Sequence, residues 1–114
     1  MSRVVLITGA TSGIGEATAR AFAAAGDKLI ITGRRAERLV ALQAELVERY
    51  GVEVWVLNFD VRDRAQCEEA LKALPERFAE IDVLVNNAGL ASGLEHLNEG
   101  RDEDWNAMID TNVK

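Results

Sequence analysis

At 114 residues, 48% hydrophobic and 28% charged, the chain has the composition of one ordinary globular domain with enough apolar matter for a packed core. A net charge of −6 repels polyanions and argues against a nucleic-acid partner, so any anionic ligand must be drawn in by local cations. The first apolar run, Val4 to Ile7, is far too short for a signal peptide or membrane span. A single cysteine, Cys67, precludes an internal disulfide and fits a reducing, cytoplasmic setting.

In chain order, β-branched runs alternate with stretches of helical period. Arg3 to Thr8 is almost continuously apolar, as a central parallel strand covered on both faces should be. A helix follows, with Ile14, Ala17, Ala21, Phe22 and Ala25 on its expected inner stripe and Gly26 at its C-terminal cap. Leu29 to Thr32 is a second strand. The next helix presents Leu39, Leu42, Leu46 and Tyr50 and is stopped by Gly51. Glu53 to Phe59 reads as a third strand. Cys67, Ala70, Leu71 and Leu74 mark a third helix before Pro75, and Ile81 to Val85 is the fourth strand.

After a loop with Gly89, Gly93 and Gly100, the acids Asp102, Glu103 and Asp104 suit the positive end of a last helix. Its expected stripe is Trp105, Met108, Ile109 and Asn112. This alternation predicts an α/β, Rossmann-type doubly wound parallel sheet of order 3-2-1-4, with right-handed crossovers and helices on both faces. Ending on strand four, such a sheet exposes an apolar edge prone to association. The chain is therefore expected to be a truncated dinucleotide-binding half-domain spanning 1–114.

The first strand runs into Thr8-Gly9-Ala10-Thr11-Ser12-Gly13-Ile14-Gly15. Gly9 permits the sharp turn, Gly13 lets the backbone approach a pyrophosphate, and Gly15 lets the helix pack close to the sheet. The helix's free N–H groups then face the phosphates, and Thr11 and Ser12 add hydroxyls. A flexible loop would need no ligand, but this one lies between a strand and a helix, the context that gives the motif meaning.

The TGxxxGIG spacing resembles that of the short-chain dehydrogenase/reductase family. Three further motifs fall in register: Asp60-Val61 after strand three, Asn86-Asn87-Ala88-Gly89 after strand four, and Asn112-Val113 in the last helix. The resemblance spans essentially the whole chain. It implies an oxidoreductase moving a hydride between a nicotinamide dinucleotide and a small molecule. The segments Gly33 to Leu39 and Asn86 to Ala91 are similar to those of NADP-dependent 3-hydroxy-acid dehydrogenases of the serine type, which implies small hydroxy acids as substrates. Family members commonly assemble as homo-oligomers.

Where NAD-preferring members carry an acid after strand two, this chain has Thr32-Gly33-Arg34-Arg35. A guanidinium fork matches a 2′-phosphate, and one charge-assisted contact is worth roughly 1.5–3 kcal/mol, about a ten- to hundred-fold preference. Arg34 and Arg35 could instead be solvated residues opening the second helix, but cations there oppose its dipole. NADP is the expected cofactor.

Asp60 and Val61 stand where the resemblance puts the adenine, although Asp60 or Asp63 could equally cap the third helix. For Asp63 the cap is the better reading. Asn86, Asn87, Ala88 and Gly89 can either pass beside the ribose and nicotinamide or tie the loop to neighbouring strands.

Asn112 shares the last helix's apolar stripe, where a buried amide must find partners. The resemblance implies that it belongs to a catalytic tetrad with a Ser, a Tyr and a Lys. The only tyrosine, Tyr50, has no Lys four residues on, so these three are expected beyond residue 114, and the isolated chain is expected to be inactive. His96, the only histidine, has no constellation around it in sequence, Cys67 reads as a core residue, and no metal-ligand spacing occurs.

The main alternative is a non-catalytic nucleotide-binding module that self-associates through the edge of strand four. A phospho-accepting receiver domain shares the βα alternation, but its first strand would need an acidic pair for magnesium where this one ends in Thr8-Gly9.

Overall fold

The computed structural model describes residues 3–60, 63–87 and 107–110. Its elements are β1 (Val4–Thr8), α1 (Gly13–Ala24), β2 (Lys28–Gly33), α2 (Ala36–Tyr50), β3 (Val54–Asn58), α3 (Arg64–Lys72), α4 (Glu76–Ala79), β4 (Val83–Asn86) and β5 (Ala107–Asp110). The sheet is parallel in every pairing, with order β3-β2-β1-β4-β5. The expected 3-2-1-4 arrangement stands, extended by one strand.

Every residue of β1 is buried, which is why the strand reads as a continuous apolar run. Alternate side chains leave the sheet on opposite faces and feed two cores. On one face Val5, Ile7, Leu29, Ile31, Val83 and Val85 meet Ala19 and Ala23 of α1 and Leu39, Leu42 and Leu46 of α2. On the other, Val4, Leu6, Ile30 and Leu84 meet Cys67 and Leu71 of α3 and Phe78 of α4. Helices thus cover both faces. Among the described residues no helix is long and apolar enough to cross a membrane.

Helix ends follow their residues. Gly51 ends α2 at φ 69°, and Gly26, at φ 90°, follows α1. Asp63 caps α3, its carboxylate accepting from the Gln66 N–H at 3.1 Å. α4 is a single turn without a period to announce it.

Two expectations fail. The inward face of α1 is Gly15, Ala19 and Ala23, with Phe22 partly buried, while Ile14 is 62% exposed and Ala17, Ala21 and Ala25 face solvent. Close docking selects the smallest residues for the contact face, so hydrophobicity alone pointed to the wrong stripe. A Cβ on Gly15 would lie 2.0 Å from the Gly9 carbonyl oxygen.

The second failure is the last helix. Residues 107–110 form β5, in parallel register with β4 from Val83↔Ala107 to Asn86↔Asp110. A run of only three apolar residues, Ala107 to Ile109, has no decisive period, and the unpaired N–H and C=O groups of β4's edge supply partners that local propensity does not. The β4 edge proposed for self-association is therefore already paired. Trp105 and Asn112 lie outside the described residues, and the helical stripe that would have turned Asn112 inward is not formed at Met108 and Ile109.

Candidate functional site

The carboxyl ends of β1, β2 and β3 open on one cleft of about 360 Å³, lined by residues of the turns that follow them, with Asn87 after β4. This is where ligands bind in open parallel sheets, and the volume falls within the usual range of roughly 300–1,000 Å³ for small-molecule sites.

The floor is the glycine turn. Gly9 turns the chain at φ 61°, in the left-handed region. Its carbonyl accepts from the Ser12 N–H at 3.2 Å and from the Ser12 hydroxyl at 2.9 Å. Ser12 Oγ in turn accepts from the Gly15 N–H at 3.0 Å and caps α1. Ser12's hydroxyl hydrogen is therefore directed into the turn, leaving Thr11 as the hydroxyl beside it on the cleft wall. The first-turn N–H groups of Gly13 and Ile14 have no intrahelical acceptor and are available to an anion. A Cβ on Gly13 would meet nothing within 4 Å, so the space in front of the helix is open.

Glu16, an acid in the first turn of α1, is drawn to Arg20 at 3.5 Å. Arg20 also bonds Glu45 of α2 through Nε at 2.7 Å and a terminal nitrogen at 3.1 Å. The hydrogen bond from Arg20 is the main reason the Glu45 carboxyl sits below its ordinary pKa.

The second wall comes from β2 and β3. The Thr32 carbonyl accepts from the Ala10 N–H at 2.9 Å, tying the glycine turn to β2. The Gly33 carbonyl accepts from the Phe59 N–H at 3.1 Å and from Asn58 Nδ2 at 2.9 Å. Added at Gly33, a Cβ would stand 3.2 Å from the Thr11 methyl, a tight contact from which the Thr11 side chain would have to give by a few tenths of an ångström.

Arg34 and Arg35 lead from this point into α2. Arg35 is its N-cap without a side-chain cap bond, and no ion pair engages it among the described residues. Arg34 faces Asp60, with its guanidinium nitrogen 3.7 Å from the carboxylate. No acid stands at the end of β2 itself.

Thr8 organises the far side. Its hydroxyl lies 3.0 Å from Asn86 Oδ1 and accepts from the Asn87 N–H at 3.0 Å, locking the end of β1 to the end of β4. Asn86 is buried in that seam, whereas Asn87 lines the cleft. The two asparagines, inseparable by sequence, thus have different surroundings.

Of the residues singled out from sequence, Gly9, Thr11, Ser12, Arg34, Arg35, Asp60 and Asn87 converge on the cleft. Gly13 and Ile14 open α1 beside it, Gly15 packs beneath the turn, and Asn86 braces it. Val61, Ala88, Gly89, His96 and Asn112 lie outside the described residues. Sequence reasoning missed Thr8, Thr32, Gly33 and Phe59 as parts of the site. A hydroxyl ending each of two apolar strands was the available signal for the threonines.

Cys67 takes no part in the cleft. It is buried in the second core, where desolvation foremost, then the charges of Asp63, Asp60 and Glu68, push the thiol up to about 11.

Comparison with known proteins agrees with this architecture. The family model for short chain dehydrogenases matches residues 3–114. The chain is 54% identical over 111 residues to the NADP-dependent 3-hydroxy acid dehydrogenase YdfG of Salmonella typhi, covering 97% of this chain and 43% of that protein. It thus spans less than half the length of this curated relative.

Among solved structures, serine dehydrogenase from Escherichia coli superposes with a TM-score of 0.76 at 33% identity, over 94% of this chain and 60% of that one. L-Sorbose reductase from Gluconobacter frateurii, complexed with NADPH and L-sorbose, gives 0.72 at 35% identity, over 77% and 34%. With the family model covering nearly its full length, the chain belongs to the short-chain dehydrogenase family.

Proposed function

We propose that residues 1–114 form the cofactor-binding part of an NADP-linked oxidoreductase acting on a small hydroxy acid, alcohol or carbonyl compound. The observation that carries this reading is the convergence of two features on one cleft: an anion-ready helix end and two arginines where an acid would select NAD. The relatives support it, since one is named NADP-dependent and another is a complex with NADPH.

The residues present fit that cofactor. Gly13 and Ile14 offer main-chain donors to the diphosphate, and Thr11 offers a hydroxyl. Arg35, at a helix end whose dipole disfavours a cation, and Arg34 provide the donors for the 2′-phosphate. Phe59 and Asp60 flank the place left for the adenine, with Val61 next in sequence. Asn87, Ala88 and Gly89 would run past the nicotinamide ribose while Asn86 anchors their loop. When bound, NADP supplies the hydride acceptor or donor. Asn112 is proposed to hold a water in a proton relay, the role its place in the family motif suggests.

Arg34→Asp tests the reading by placing an acid near the ribose. NADP affinity should fall at least ten-fold relative to NAD, the size of one lost charge-assisted contact. An unchanged ratio of the two affinities would refute the assignment.

A further inference from the structure

We propose that Asp60 sets the strength of the NADP preference by holding Arg34 as an exchangeable counter-ion, which the cofactor's 2′-phosphate displaces. This inference rests on the cofactor assignment above and concerns the ligand-free state of the same cleft. The Arg34 guanidinium lies 3.7 Å from the Asp60 carboxylate, and both residues line the cleft. At that separation the two are held by charge, and Arg34's N–H donors remain free to meet a better acceptor.

Their proximity is fixed by backbone. Gly33 and Asn58 are register partners in the β2–β3 ladder, and the Gly33 carbonyl accepts from both the Phe59 N–H and the Asn58 side chain. Arg34 and Asp60 leave the sheet from these adjacent ends. Asp60 is itself fixed on the α3 side, its N–H donating to Gln66 Oε1 at 3.3 Å and its carbonyl accepting from the Asp63 N–H at 2.9 Å.

The guanidinium side chain is 66% exposed and the carboxylate 33%. An ion pair so open to water is weak, worth a factor of about two to five in an equilibrium constant. A dianionic phosphate with three acceptor oxygens outcompetes a single carboxylate at this distance. NADP binding therefore exchanges one partner of Arg34 for another and realises only the difference, whereas NAD leaves the pair in place. Asp60 thus moderates a preference that Arg34 alone would make steeper.

The test is calorimetric titration of the full 114-residue chain with NADP and with NAD at low salt, for wild type, Asp60→Asn, Arg34→Ala and the double variant. Asn keeps an acceptor oxygen for the adenine but loses the charge. Asp60→Asn should raise the ratio of NADP to NAD affinity about two- to five-fold, since any change in the adenine contact is common to both cofactors and cancels. In the Arg34→Ala background the same change should raise that ratio by no more than about 1.5-fold, because its effect acts through Arg34.

A full-sized gain in the ratio without Arg34 would mean direct repulsion of the phosphate and overturn the inference, as would an unchanged or lower ratio in Asp60→Asn. An Arg34→Ala variant that keeps the wild-type preference would instead indict the underlying cofactor assignment. A readout without cofactor completes the test: the Arg34 Nε–H resonance should shift in Asp60→Asn, and a resonance that stays put would contradict the pairing.

Discussion

Gly15→Ala should cost far more stability than its one added methyl suggests, while Gly13→Ala, two residues earlier in α1, should cost nothing. At Gly15 the new Cβ would stand 2.0 Å from the Gly9 carbonyl oxygen and 2.8 Å from Ala10 Cα, both main-chain atoms that no side-chain rotation can move. α1 must back away from the sheet, disturbing the Ala19 and Ala23 contacts that continue the same face. Overpacking of this kind costs up to about 3 kcal/mol, against which alanine's better helix propensity returns about 1 kcal/mol. A net loss of about 2 kcal/mol lowers the melting temperature by about 8–12 °C for a domain of this size. At Gly13 nothing lies within 4 Å, so only the propensity gain applies, up to about 1 kcal/mol. Thermal melts of the three proteins by circular dichroism decide the matter. Equal melting temperatures for Gly15→Ala and Gly13→Ala would show that close packing of α1 beneath the glycine turn is wrongly described.

Other consequences can be checked separately. Cys67, buried and pushed up to about 11, should resist alkylation by iodoacetamide at pH 8 and react readily once denaturant is added. Rapid labelling of the folded chain would contradict its place in the core. Glu45's carboxyl is held below its ordinary value by Arg20, so its contribution to stability is fully present above pH 4.5, the ordinary value, and fades as pH falls through the lower folded-state value. Glu45→Gln should therefore melt below wild type at pH 7, and the gap should close in acid. A gap that persisted at pH 2 would remove the ion pair as its cause.

The sheet was legible because its central strands are buried on both faces, which writes uninterrupted apolar runs at β1 and β2. The amphipathic α2 was legible because Leu39, Leu42 and Leu46 stand out against charged neighbours. α1 was misread for the opposite reason. Alanine occurs on every side of it, so no stripe contrasts with another, and close approach at Gly15 decided which face turned inward. The segment around Met108 and Ile109 shows tertiary pairing overruling an apparent helical period, since its partner strand β4 lies more than twenty residues earlier.

For the site, the glycine turn and the arginines were visible because each sits at a strand end with an unmistakable chemistry. Thr8, Thr32, Gly33 and Phe59 were not, because their roles arise from register. Thr8 reaches Asn86 only because β1 and β4 are paired, and Gly33 fixes the approach of Arg34 to Asp60 only because β2 and β3 are.

The central claim, that this cleft seats a dinucleotide carrying a 2′-phosphate, is tested most directly by backbone amide NMR during titration with NADP. The largest shifts should fall on Gly13, Ile14, Arg34 and Arg35, with those at the two arginines much reduced for NAD. Shifts confined to the opposite end of the sheet, around Lys28 and Asp82, or identical maps for the two cofactors, would contradict it.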